Sequence, residues 1–231
     1  MDYVFPAPPI PSIPVRGVSL RFPVHRIYCV GRNFADHARE MGAPVERGQP
    51  MFFTKPADAV VPGGGDIPYP PATGDLQHEV ELVVAIERNG HGEVAAEYAH
   101  AWVYGYTVGI DLTRRDLQAA AKAAGHPWDT AKGFDGSAPL AEIVPAGQFG
   151  AIGSRELWLR VNDVERQRAR LDRMLFGVDE VLHALSGLYE LRSGDLVFMG
   201  TPAGVAALAP GDRFSAGIDD LVELHGRIVG R

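Results

Sequence analysis

His78-Glu79-Val80-Glu81-Leu82-Val83-Val84-Ala85-Ile86 is an apolar run interrupted by two carboxylates, and it ends shortly before Asn89-Gly90. In extended backbone the side chains alternate with a period of two. Glu79, Glu81, Val83 and Ala85 then share one face, and Val80, Leu82, Val84 and Ile86 the other. Neither face carries the polar alternation of a half-exposed strand, so the segment reads as a strand covered on both sides. Its two glutamates sit about 7 Å apart along the strand. On a solvated face they would need no explanation. On a buried face they need a counter-charge, and a hard cation bound through oxygen supplies one.

Outward from this strand, short apolar runs alternate with turn chemistry. Ile27 to Val30 ends at Gly31, Met51 to Phe53 leads into Lys55-Pro56, and Pro62-Gly63-Gly64-Gly65-Asp66 reads as a turn. Residues 102 to 110 are rich in β-branched and aromatic side chains and stop at Asp111. Leu157 to Val161 leads to a hairpin tip at Asn162-Asp163, and Leu196 to Met199 follows Ser193-Gly194-Asp195. A last pair of strands begins after Pro210-Gly211-Asp212 and ends with Leu221 to Val229. Helices are few. Thr113 and Asp116 resemble a capping box opening a helix over 114–124 that stops at Gly125. Val181, Leu182, Leu185, Leu188 and Tyr189 mark one apolar face of a second helix. Many strands, few helices and no regular βαβ alternation predict an α+β domain with a large folded sheet.

Composition narrows the function. The 231 residues carry a net charge of −7, which disfavours a broad phosphate-binding surface and hence nucleic acid. The single cysteine, Cys29, lies in an apolar run and reads as a buried small hydrophobe, so neither an intrachain disulfide nor a Cys-rich zinc site can form. No stretch approaches the roughly 20 apolar residues of a membrane span, and the start lacks the basic flank of a signal peptide, so a cytoplasmic location is expected. Residues 1–21, with Pro6, Pro8, Pro9, Pro11 and Pro14, read as an extended strap that forms no strand, and 22–231 as one catalytic domain.

Other residues offer chemistry beside the glutamates. Asp111 closes a strand and is either a third metal ligand or a helix cap. His37 and Glu40, three apart after Gly31-Arg32-Asn33, become neighbours on a helical turn, where a carboxylate orients an imidazole as a general base. An incidental ion pair on a solvated helix fits the same spacing. Residues 33–48 read as a mobile lid. Lys55 and Lys132 are notable because both lie in apolar surroundings. A zinc-protease motif fails because its second histidine falls at Leu82, and Gly63 to Gly65 lacks the Lys-Ser/Thr of a phosphate loop.

Taken together, five motifs resemble the fumarylacetoacetate hydrolase family, especially its fumarylpyruvate hydrolase and acylpyruvase branch. They are Tyr28-Cys29-Val30-Gly31-Arg32-Asn33-Phe34-Ala35-Asp36-His37, Phe53-Thr54-Lys55-Pro56, His78-Glu79-Val80-Glu81-Leu82, residues 109–118 from Gly109 to Gln118, and Met199-Gly200-Thr201-Pro202-Ala203-Gly204-Val205. The resemblance implies a mixed sheet rolled on itself, usually in a homodimer. It implies Glu79, Glu81 and Asp111 as ligands of Mg²⁺ or Mn²⁺, His37 and Glu40 on a lid, and Lys132 as the catalytic cation. Arg32, Lys55, Gln118 and Thr201 would line the substrate pocket. Members often carry Tyr where Phe34 stands, so any hydrogen bond from that hydroxyl is absent here. The implied activity is metal-dependent hydrolysis of the carbon-carbon bond of an acylpyruvate such as fumarylpyruvate, giving fumarate and pyruvate. The same scaffold would also serve oxaloacetate decarboxylation or isomerisation of a ring-cleavage 2-oxo acid. A non-catalytic module that binds 2-oxo acids is the reading from another class.

Overall fold

The computed structural model describes residues 3–40, 42, 45, 47–90 and 92–231. At its centre Val80–Ile86 pairs antiparallel with Val103–Ile110, and every residue of Val80–Ile86 is buried. Val80, Leu82, Val84 and Ile86 join one apolar cluster, while Val83 and Ala85 join another. The two faces expected from the period of two are thus covered by different parts of the chain.

Around this pair runs a mixed sheet in the order Met51–Lys55, Arg26–Gly31, Asp195–Phe198, Val80–Ile86, Val103–Ile110, Ala138–Leu140 and Val60–Pro62. Asp195–Phe198 lies parallel to Arg26–Gly31, and Ala138–Leu140 parallel to Val60–Pro62. A second sheet, ordered Val164–Arg170, Glu156–Val161, Arg213–Ile218, Val222–Val229 and Gly64–Pro68, closes over the first. Its Leu157, Leu159, Phe214, Ala216 and Leu224 pack against the face that carries Leu82 and Val84. The sheet curls on itself and the helices are short, which is the strand-rich α+β architecture expected. At the hairpin tip Asn162 and Asp163 take φ of 50° and 65°, the left-handed pair that a two-residue turn between twisted strands requires. No helix among the described residues is long and apolar enough to cross a membrane.

Four local expectations are corrected. Ser12–Pro14 is a strand, paired with Arg21–Pro23, and it lays Ile13 over the face that carries Val83 and Ala85. Prolines are tolerated there because the ladder is a two-stranded edge, where missing amides can face away from the partner. The glycine turn is narrower than it reads, since Gly64–Pro68 runs parallel to Val222–Val229, a partner far away in sequence that turn chemistry does not report. Thr113 does not cap the helix. The helix is Arg115–Ala124 without a side-chain cap, and Thr113–Arg114 forms a short strand against Leu76–His78. The helix ends as expected at Gly125, in the left-handed conformation. Finally, Val178–Ser186 buries Val181, Leu182 and Leu185, but Leu188 and Tyr189 lie beyond its end and are exposed.

Candidate metal centre and its pocket

The register of the central strand pair explains why three distant carboxylates meet. Val80 is opposite Ile110 and Glu81 opposite Gly109, and the Asp111 amide donates to the Glu79 carbonyl at 2.8 Å. Residues facing each other across an antiparallel pair send their side chains to the same face. Asp111 therefore stands beside Glu79, with Glu81 next along, and Gly109 adds no side chain between them. The ligand atoms of Glu79, Glu81 and Asp111 lie within 4.8 Å of one another, and all three residues are buried.

Three cations answer these carboxylates. Lys132 Nζ donates to Glu79 Oε2 at 2.7 Å, to Asp111 Oδ2 at 2.5 Å and to the Thr113 hydroxyl at 2.6 Å, which uses all three ammonium protons. Lys55 Nζ lies 2.8 Å from Asp111 Oδ1 and also donates to the carbonyls of Leu112 and Lys132. Arg115 donates to Glu79, Gln118 and Gln77. Burial alone would raise the Glu79 pKa, but Lys132 and Arg115 outweigh it and hold the carboxyl below the usual range. Burial likewise works to lower the Lys132 pKa, yet Asp111 and Glu79 raise it above the ordinary lysine value.

Glu81 differs from its neighbours. Its one hydrogen bond among the described residues comes from the Gly200 amide, at 2.7 Å, and no cation among those residues forms an ion pair with it. Burial first, then Asp111 and Glu79, push its pKa well above the carboxylate range. Asp111 Oδ1, although near Lys55, accepts no hydrogen bond. An under-compensated buried carboxylate, in a cluster offering only oxygen, fits a hard divalent ion such as Mg²⁺ or Mn²⁺.

Above the cluster sits the helix Ala35–Glu40. His37 lines the same cavity as Glu79, Glu81, Asp111 and Lys132, and its Nδ1 is 3.4 Å from Glu40 Oε2. Burial lowers the His37 pKa, against the opposing pull of Glu79 and Glu40. The loop from Met199 to Gly204 ties this helix to the cluster. Its Gly200 amide reaches Glu81, its Gly204 amide reaches both Glu40 oxygens at 3.1 and 3.2 Å, and its Met199 carbonyl accepts from Asn33 at 2.8 Å. The two glycines take φ of 89° and 96°. A Cβ on Gly200 would lie 2.7 Å from the Asn33 Cβ, and one on Gly204 would overlap the Arg166 carbonyl, so neither position accepts a side chain.

Of the residues expected in the pocket, Arg32, Gln118 and Thr201 line the cavity, with Met51, Phe53 and Trp128 as apolar wall. Lys55 is fully buried against Asp111 and is not on the wall. Part of the expected lid, residues 41, 43, 44 and 46, falls outside the described residues. Arg115 and Lys122 also line the cavity although neither was among the residues expected there, and Thr113, expected as a helix cap, accepts from Lys132 instead. Arg115 carried a usable signal, since Arg115 and Gln118 are three apart on an otherwise alanine-rich helix and share a face.

Residues 26–229 match the family model described as fumarylacetoacetate (FAA) hydrolase C-terminal. The fold superposes with a TM-score of 0.95 on the crystal structure of fumarylpyruvate hydrolase from Pseudomonas aeruginosa in complex with Mn²⁺ and pyruvate, at 46% identity and full coverage of both chains. Fumarylpyruvate hydrolase of a Ralstonia species is 38% identical over 186 residues, covering 80% of this chain and 96% of that protein. The mitochondrial oxaloacetate tautomerase of Arabidopsis thaliana is 38% identical over 200 residues, covering 87% and 89%. The curled sheet, its register-built acidic cluster and these matches agree: the chain belongs to the fumarylacetoacetate hydrolase family.

Proposed function

We propose that this chain is a divalent-metal-dependent hydrolase of acylpyruvates, with fumarylpyruvate, cleaved to fumarate and pyruvate, as its favoured substrate. The observation that carries the reading is a single cavity holding the Glu79, Glu81 and Asp111 cluster together with His37 and Lys132. Glu79, Glu81 and Asp111 would hold the ion, Mg²⁺ or Mn²⁺, whose contribution is Lewis-acid polarisation of the 2-oxo acid end of the substrate. With Nδ1–H turned to Glu40, His37 presents Nε2 as its basic atom, and its lowered pKa keeps the ring neutral near pH 7. Nε2 takes a proton from water as the water oxygen adds to the distal carbonyl carbon. Lys132 exchanges one of its three oxygen partners for the developing oxyanion. The bond between that carbon and the pyruvate methylene carbon then breaks. The electron pair leaves with the pyruvate fragment, which recovers a proton from the imidazolium.

Two features favour a long, doubly charged substrate. Arg32 and Lys122 line the cavity and neither forms an ion pair with a described residue, so a second carboxylate has cations to meet. A second pocket shares Met51, Phe53, Trp128 and Lys132 with the cavity and is further lined by Phe52, His126 and Pro127; read as an extension of the cavity, it gives room for an acyl chain that oxaloacetate lacks. The likeness to the Arabidopsis oxaloacetate tautomerase supports a second reading, isomerisation or decarboxylation of oxaloacetate at the same centre. The His37–Glu40 pair favours hydrolysis over decarboxylation, which does not require activated water. Turnover of fumarylpyruvate, acetylpyruvate and oxaloacetate, with and without Mg²⁺, Mn²⁺ and a chelator, separates the readings. Fastest release of pyruvate from fumarylpyruvate is expected. Loss of oxaloacetate faster than of either acylpyruvate would favour the second reading, and no turnover of any would favour a binding module.

A further inference from the structure

We propose that Gln167, a residue outside the cavity, is a positioning residue that sets the Thr201 hydroxyl as a hydrogen-bond donor towards the substrate. The proposal rests on reading the cavity as a 2-oxo acid site. Gln167 is 1% exposed and comes from the strand Val164–Arg170 at the end of the second sheet. Its Oε1 is 3.1 Å from the Val80 amide and 3.0 Å from His78 Nδ1, and its Nε2 is 2.8 Å from both the Pro202 carbonyl and the Thr201 hydroxyl oxygen.

Two of these partners have no freedom. The Val80 amide can only donate and the Pro202 carbonyl can only accept. A flipped amide would place donor against donor at one end and acceptor against acceptor at the other, so the orientation is decided by chemistry. The consequences then follow in both directions. His78 must carry its proton on Nδ1, which agrees with its Nε2 having no partner. The second Gln167 N–H must go to Thr201 Oγ1, so that oxygen is an acceptor within the protein. Its own proton meets no acceptor among the described residues, and Thr201 lines the cavity. β-Branching leaves the side chain little freedom to turn away. The result is a donor presented to a ligand whose oxygens, carboxylate and keto alike, all accept.

The test uses metal-loaded protein, with the KM for fumarylpyruvate and the Kd for pyruvate by calorimetry as readouts. Thr201→Val is expected to raise both about tenfold or more, because it removes a hydrogen bond to a charged group. Thr201→Ser, which keeps the hydroxyl, should restore most of the affinity. Gln167→Glu is the informative variant. Its carboxylate still accepts from Val80 and His78 but draws the Thr201 proton to itself, so KM and Kd rise about as far as in Thr201→Val, with a smaller change in kcat. In the Thr201→Val background the same change at Gln167 should add little, a non-additivity that a merely structural role would not produce. If Gln167→Glu does not fold, Gln167→Met, which cannot repel the Pro202 carbonyl, should give a smaller rise that is likewise absent in the Thr201→Val background. Additive effects, or unchanged Kd in Thr201→Val, would overturn the positioning role alone. Wild-type protein that binds no pyruvate and turns over no 2-oxo acid would remove the functional reading and this proposal together.

Discussion

On the floor of the cavity, Glu79, Glu81 and Asp111 sit on or beside two hydrogen-bonded strands inside the core, whereas above it His37 rides on a helix of six residues. Backbone register sets the floor: shifting Val103–Ile110 by one residue would send Asp111 to the opposite face. The upper wall hangs from a few polar tethers. Asn33 donates to the carbonyls of Phe176 and Met199 and accepts from the Phe176 amide, and Glu40 accepts from Gly204. On the proposed mechanism this is a division of labour, in which the charge that must not move is built into sheet and the proposed base is carried on a tethered element. Losing a floor residue should therefore damage folding and chemistry together, and losing a residue of the upper wall should damage chemistry more selectively.

The largest effect on stability and turnover together is expected at Lys132, the shared counter-ion of the floor. Lys132→Met leaves Glu79 and Asp111 without their common partner, which should lower the unfolding free energy by about 3–5 kcal/mol. It should also reduce kcat by about 10²–10³-fold through loss of the oxyanion donor. Denaturant unfolding and steady-state rates check both, and a variant as stable as wild type would break the contrast on the floor side.

His37→Ala comes next and should separate the two regions. Turnover is expected to fall about 10²–10⁴-fold while the affinity for Mn²⁺ stays unchanged, because the imidazole is no part of the acidic cluster. Weakened ion binding would mean that His37 belongs to the floor. The pH dependence sharpens this. Burial lowers the folded-state pKa of His37 below its ordinary value, and that of His78 in the same way. Between the folded value and about 6.5 the unfolded chain binds more protons than the folded one, so stability falls as pH drops through that window. The rate, which needs neutral His37, should hold down to a pH below about 6.5. An acid limb centred above that value would contradict the buried, neutral imidazole.

A smaller effect is expected from Asn33→Ala, which leaves the buried carbonyl of Met199 and the part-buried backbone groups of Phe176 unpaired at a cost of about 1–3 kcal/mol. Because Asn33 anchors the start of the helix that carries His37, kcat should fall further than ion affinity. Equal losses in the two would erase the distinction between the regions.

The floor was half legible in the sequence. The period of two placed Glu79 and Glu81 together, and the apolar neighbours on both faces announced their burial. That Asp111 joins them depends on pairing between separate segments, which one strand's pattern does not encode. Ser12–Pro14 was hidden because its prolines suppress the strand signal, although the face bearing Val83 and Ala85 needed a cover. Thr113 read as a helix cap because a hydroxyl before a helix usually is one; here Lys132 takes it. Gln167 gave no local signal, since its partners come from two other segments of the chain, residues 78–80 and 201–202.

The central claim, that Glu79, Glu81 and Asp111 hold a divalent ion required for turnover, is tested most directly by titrating Mn²⁺ into metal-free protein while following fumarylpyruvate cleavage, for wild type and Glu81→Gln. Turnover that is absent without the ion, rises to saturation with a single ion per chain, and requires far more Mn²⁺ in the variant is the expected result. Full turnover in chelator, or saturation of Glu81→Gln at the wild-type concentration, would contradict it.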